Sequence, residues 1–268
     1  MYILYKVCTF TERKTAENVD IKMNITDLLI TKKENIVLED MILSEESRIQ
    51  LDHLLKEHRY LDVLQNYGLP VNNKILLYGA SGCGKTSTAK ALANALNKPI
   101  YILNLSNVIS AKIGETSQHL KQIFDKAGRD QAVLFLDEFD QIGKSRMSED
   151  KDVGEIRRLV NTLIQLIDYY PEKALLICAT NHMEVIDQAI LRRFQLQIEY
   201  TLPSAVVLDG YYDSLLAKLP EQIAENVKRK YGISFAEAKD CAFTQAKYNI
   251  IKQLENGEII LQKEVLET

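Results

Sequence analysis

Positive charge is not in excess: Lys plus Arg number 33 against 37 Asp plus Glu, a formal net charge of -4. With no basic tail or Arg-rich patch, the electrostatic footprint of a nucleic-acid binder is missing. The four cysteines, Cys8, Cys83, Cys178 and Cys241, lack metal-ligand spacing and read as free thiols of a reducing compartment. Apolar runs such as 132–136 and 174–179 are too short to cross a bilayer. The N-terminal MYILYKV lacks the sustained apolar stretch and cleavage signal of a secreted chain. Nor is there an HExxH segment for peptide hydrolysis, an internal repeat, a heptad register or a low-complexity linker. These absences imply a cytoplasmic protein with no transmembrane segment. What is present suffices for a core: 268 residues, 46% hydrophobic, accommodate one large domain or two smaller ones.

Residues 1–35 carry no chemistry, but Val19, Ile21, Met23 and Ile25 alternate with polar residues and predict one half-buried strand in a structural or docking extension. Ser44 before Glu45 and Glu46 marks a helix start, a hydroxyl cap with acids at the positive end of the helix dipole. Ile49, Leu54, Leu55, His58, Leu61 and Leu64 continue at helical spacing until Gly68 and Pro70. His58 has no neighbouring His or Cys and reads as a boundary residue.

From Lys74 short apolar strands alternate with amphipathic helices. Strands are expected at 74–78, 99–104, 132–136, 175–179 and 195–200. Continuous apolar runs fit central parallel strands, whereas Leu196, Ile198 and Tyr200 alternate with polar residues as at an edge. One helix is lined by Leu120, Ile123, Phe124 and Ala127, another by Ile156, Leu159, Val160, Leu163, Ile164 and Ile167. The pattern predicts a three-layer α/β domain at 36–204 on a mostly parallel five-stranded sheet. A small helical lid follows at 205–257, its helices separated by Pro220 and Gly232, with Gly257 ending the last and a tail at 258–268.

Gly79-Ala80-Ser81-Gly82-Cys83-Gly84-Lys85-Thr86, followed by Ser87, is a complete phosphate-binding loop between a strand and a helix. Such a loop wraps its backbone N–H groups around phosphate at a helix N-terminus. Lys85 can reach the β and γ phosphates, and the Thr86 hydroxyl can hold magnesium. Cys83 sits where the backbone does the binding. At the end of the 132–136 strand, Asp137 and Glu138 reach the carboxyl edge of the sheet, where open α/β sheets bind ligands. Asp137 can orient the water shell of magnesium, and Glu138 can polarise an attacking water. Asp140 reads as a structural acid. Together these residues predict binding of ATP with Mg2+ and hydrolysis of the β–γ bond.

With SNVISAKIGETSQHLKQIF, LLICATN and DQAILRRF in that order, the chain resembles AAA-family ATPases over about residues 36 to 255, most closely small bacterial central-domain types. The resemblance implies that Asn181 is sensor 1, beside the γ phosphate and the nucleophilic water. It implies that Asp40, Met41 and Ile42 border adenine. Arg192 and Arg193 match arginine fingers, which reach a neighbour's nucleotide in a homo-hexamer formed in the ATP state. The implied work is remodelling or regulation of a protein partner; an ATP-controlled assembly module and a nucleic-acid motor are the alternatives. Two departures stand out. Lys112 in Ser110-Ala111-Lys112-Ile113-Gly114-Glu115 replaces the family's pore aromatic, which argues against threading of polypeptide. Phe235 replaces the usual glycine of the second sensor region, where no arginine stands; Arg229 is nearby in sequence only.

Overall fold

A computed structural model describes residues 36–106, 113–144 and 153–256. The 19–25 strand, residues 110–112 with Lys112, Gly257 and the 258–268 tail lie outside the described residues. Five strands occur where the apolar runs fall: β1 (Lys74–Gly79), β2 (Ile100–Asn104), β3 (Val133–Asp137), β4 (Leu175–Thr180) and β5 (Leu196–Tyr200). They form one sheet in the order β2-β3-β4-β1-β5, and every pairing is parallel.

Successive side chains of a strand point to opposite faces, so one apolar run feeds two layers. Leu134, Leu136, Leu176 and Cys178 pack against Leu120 and Ile123 of α4 (Ile113–Arg129) and Leu159 and Leu163 of α6 (Val153–Asp168), between which the short α5 (Gln141–Lys144) falls in sequence. Val133, Phe135, Leu175 and Ile177 pack against Leu51 and Leu54 of α1 (Glu45–Arg59) and Ala89 and Leu92 of α3 (Lys85–Ala95). Each such leucine is fully buried, and truncating one to alanine in a core of this kind costs about 2–5 kcal/mol. β5 is an edge as its alternation predicts, with Gln197 and Glu199 exposed and Ile198 and Tyr200 buried. β2 is the opposite edge, although its continuous run reads as central. Both layers cover it, so Tyr101, Ile102 and Leu103 are all buried.

Two helix expectations need correction. The helix after Ser44 is broken at Tyr60, where ψ of 20° interrupts the spiral, and α2 (Leu61–Asn66) follows as a separate segment. Ser44 caps α1 as expected, its hydroxyl accepting from the Ser47 amide at 3.2 Å, but Ile49 is exposed and Leu51 fills the core. The lid consists of α8 (Ala205–Leu216), α9 (Glu221–Ala224) and α10 (Phe235–Glu255) around Leu208, Tyr212, Ile223, Ala238 and Ala242. The helix expected between Pro220 and Gly232 shrinks to the single turn α9. Past it the chain is held by Arg229, which donates to Asp209 at 2.9 Å and Asp213 at 2.5 Å. Arg229 is thereby committed to the lid and does not line the loop cavity.

Candidate active site

β1 runs into the phosphate loop at Gly79, which pairs with Tyr200 of the neighbouring β5. At Gly79, with φ +117°, an added Cβ would lie 2.1 Å from the Tyr200 carbonyl oxygen, so only glycine fits. The Ala80 amide donates to that same oxygen at 2.8 Å. The loop then opens α3, as the sequence predicts. Lys85 Nζ donates to the carbonyls of Gly79 at 2.8 Å and Ala80 at 2.9 Å. Burial pushes the ammonium pKa below its ordinary value, against the influence of Cys83, Asp137 and Asp140. A buried cation with its pKa pushed down gains from a negative partner. Cys83 is buried.

Asp137 ends β3 with its Oδ2 3.5 Å from the Thr86 hydroxyl. Burial pushes its carboxyl pKa up. A hydroxyl and a carboxylate beside a phosphate cradle are hard oxygen donors that leave room for water, the ligand set magnesium prefers. Glu138 adopts φ +54°, rare for a residue with a side chain. Its amide donates to Asp137 Oδ1 at 2.9 Å, and its carboxylate accepts from the Ser106 hydroxyl. Asp140 is structural, accepting from the Thr180 hydroxyl at 3.0 Å in the core.

A cavity of about 740 Å³ joins these groups, within the range of sites for nucleotide-sized ligands. It is lined by Asp40, Met41 and Ile42, by Ser81, Gly82, Cys83, Gly84, Lys85, Thr86 and Ser87, and by Asp137, Glu138 and Asn181. The segment before α1 is anchored by Arg48, which donates to the Met41 carbonyl at 2.6 Å. Gly79 and Ala80 hold Lys85 from beneath and do not line the cavity. Arg192 and Arg193, which follow α7 (Gln188–Leu191), are also outside it. Arg192 is exposed, while Arg193 places Nε 2.9 Å from Asp168 and donates to the Ala189 carbonyl.

Ser106 is a site residue that the sequence reading misses. The signal lies in the register: Asn104 pairs with Asp137, so the chain leaving β2 runs beside Glu138. Four lid residues are missed for a different reason. Gly210, Tyr211 and Ser214 of α8 and Lys239 of α10 line the cavity but lie over a hundred residues beyond the loop. Phe235 and Ala236 complete that wall, within the stretch matched to the second sensor region.

A parallel sheet, a glycine-rich loop opening a helix and paired acids at the adjoining strand end define a P-loop nucleoside-triphosphatase. Residues 75–202 match the family model for "ATPase family associated with various cellular activities (AAA)". These residues are an AAA ATPase domain. It is 34% identical over 216 residues to an uncharacterized AAA family ATPase, y4kL, of Sinorhizobium fredii, covering 80% of this chain and 65% of that one. It is 27% identical over 228 residues to a putative 26S proteasome regulatory subunit homolog of Methanothermobacter thermautotrophicus, covering 82% and 60% respectively. The chain thus spans under two thirds of either relative's length. Its fold matches the crystal structure of the FIGL-1 AAA domain with a TM-score of 0.68 at 21% identity, over 94% of this chain and 87% of that one. Among the described residues no helix is long and apolar enough to cross a membrane.

Proposed function

We propose that this chain hydrolyses the β–γ bond of magnesium-bound ATP and uses the event to move the lid against the α/β domain, thereby remodelling or regulating a protein partner. The observation that carries the reading is the meeting of Lys85, Thr86, Asp137 and Glu138 in one cavity whose far wall is the lid. Lys85 neutralises the phosphates from the floor of the loop. Thr86 and Asp137 would hold magnesium, which when bound screens phosphate charge and aligns the oxygens. Glu138 orients water and accepts its proton as the water oxygen bonds to the γ phosphorus. The bond from that phosphorus to the bridging oxygen breaks, giving ADP and inorganic phosphate. Asn181, on the cavity wall at the end of β4, supplies a polar contact on the water's side.

Arg192 and Arg193 act on a neighbouring subunit's nucleotide in this reading. Their position outside the cavity of their own chain supports a role across an interface. A homo-hexamer in the ATP state is the expected assembly. Light scattering over a concentration series, with magnesium and ATP on the Glu138→Gln variant, tests it. A shift from small species to hexamers is predicted, and full parental turnover by a species monomeric at every concentration would reject assembly-dependent chemistry. Turnover measured alone, with an unfolded protein and with DNA then assigns the partner class. Stimulation by protein alone is expected; stimulation by DNA alone overturns the protein-partner reading.

A further inference from the structure

One buried residue meets the phosphate loop at its entry, at its last glycine and in the helix that follows. Tyr200 ends β5 and is buried. Through its backbone it pairs with Gly79, and its carbonyl oxygen accepts from the Ala80 amide at 2.8 Å. Its ring lies beside Gly84, where an added Cβ would stand 4.0 Å from Tyr200 Cε1. Its hydroxyl donates to Thr88 Oγ1 at 2.7 Å. Thr88 is fully buried in the first turn of α3, and its own amide donates to the Gly84 carbonyl at 2.9 Å. The same turn carries Lys85 and Thr86, the two side chains assigned to phosphate and magnesium.

Packing alone does not call for this bond. A buried hydroxyl forfeits its hydrogen bonds to water, so a Tyr–Thr pair adds little net stability over phenylalanine and valine of the same shape. What the pair adds is direction. Apolar surfaces can slide over one another, whereas a buried donor and acceptor have one favourable arrangement. Burial pushes the phenol pKa up to about 12, so the hydroxyl keeps its proton and keeps donating at neutral pH.

We propose that Tyr200 is a positioning residue of the phosphate site. Its bond to Thr88 fixes the first turn of α3 at the depth where Lys85 and Thr86 meet the triphosphate, a role that rests on the ATP reading above and deepens it. Without the bond, the loop and the helix it opens divide their time among several arrangements. Apparent affinity then falls with the fraction that still binds. Residues 201–204 lead from Tyr200 into α8, so the residue that sets the loop is also the last strand residue before the lid.

Calorimetry with magnesium and ATP tests this on Tyr200→Phe, Thr88→Val and the double variant, alongside thermal unfolding. Binding is measured at a temperature where circular dichroism shows every variant folded, so affinity is read on folded protein only. Each single variant leaves one buried hydroxyl unpaired and should lose thermal stability. The double variant replaces both groups with apolar ones of the same shape and should recover the parent's melting temperature. All three should bind ATP about 2- to 10-fold more weakly than the parent, the scale of one net hydrogen bond. A merely structural pair would not separate affinity from stability in this way. Parental ATP affinity in any of the three would overturn the positioning role and leave the phosphate site standing. A parent that does not bind ATP would overturn both.

Discussion

The Ala236 amide donates to the Gly82 carbonyl at 3.1 Å, bonding the first turn of the lid's long helix to the middle of the phosphate loop. That turn is itself locked by a capping box. Ser234 Oγ accepts from the Glu237 amide, and Glu237 reaches back to the Ser234 amide at 2.8 Å. The loop can approach so closely because residue 82 is glycine. A Cβ there would lie 2.6 Å from Ser234 Oγ, on a backbone with φ of +71°.

Gly82→Ala should therefore push the lid off the loop without disturbing the sheet. The strain of an L residue at such a φ is about 1–3 kcal/mol, so ATP affinity should fall at least about fivefold. Calorimetry measures the loss, and far-UV circular dichroism should show the parent's helix content. Parental ATP affinity would show that the lid contact contributes nothing to the site.

Glu138→Gln keeps the shape of the side chain and the hydrogen bond from Ser106. It removes the proton acceptor. ATP binding should persist while turnover drops by roughly 10²–10⁴, the scale for a lost general base. Single-turnover quench measurements on the purified variant separate binding from chemistry, and an unaltered hydrolysis rate would remove Glu138 from the mechanism.

The two arginines should separate. Arg193 is engaged with Asp168 and the Ala189 carbonyl within its own chain, whereas Arg192 is exposed. Arg193→Ala should cost stability of about 0.2–1 kcal/mol, as partly exposed ion pairs do, beyond any effect on turnover. Arg192→Ala should leave thermal stability unchanged and reduce turnover alone. Mixing Arg192→Ala chains with Lys85→Ala chains should restore part of the activity. Mixed assemblies that stay inactive would contradict action across the interface.

Much of this architecture was legible because it is local. Apolar runs located all five strands within a residue or so of their ends, and the loop motif placed Lys85 and Thr86 at the start of α3. Failures came where packing overrode local pattern. The run at Tyr101, Ile102 and Leu103 reads as a central strand, yet an edge strand covered on both faces has the same signature. The helix after Ser44 breaks at Tyr60, where neither glycine nor proline signals a stop. Ser106, Gly210 and Tyr211 enter the site only when the sheet register and the lid bring distant segments together. No spacing rule connects Gly210 to Lys85.

His58 carries a pH signature. Its Nε2 lies 2.9 Å from the Asn72 carbonyl oxygen, and burial, with Lys98 adding repulsion, pushes its pKa below the ordinary 6.5. The Asn72 hydrogen bond and then the Glu57 charge oppose the shift but do not reverse it. The folded state thus binds this proton less readily than the unfolded chain. The stability it contributes is complete above 6.5 and is lost as pH falls from there through the lower folded value. His58→Gln should flatten the acid side of the stability profile in urea titrations. An identical slope in parent and variant would contradict the assignment.

Phosphate release by the parent and by Lys85→Ala, each with magnesium and ATP, decides whether this cavity hydrolyses ATP. The substitution removes the cation that Gly79 and Ala80 hold under the loop, leaving the sheet and lid intact. The parent should release phosphate steadily until magnesium is chelated, and the variant should show neither measurable release nor calorimetric ATP binding. Equal phosphate release by the two proteins, at matched concentration and in the same assembly state, would contradict hydrolysis by this cavity.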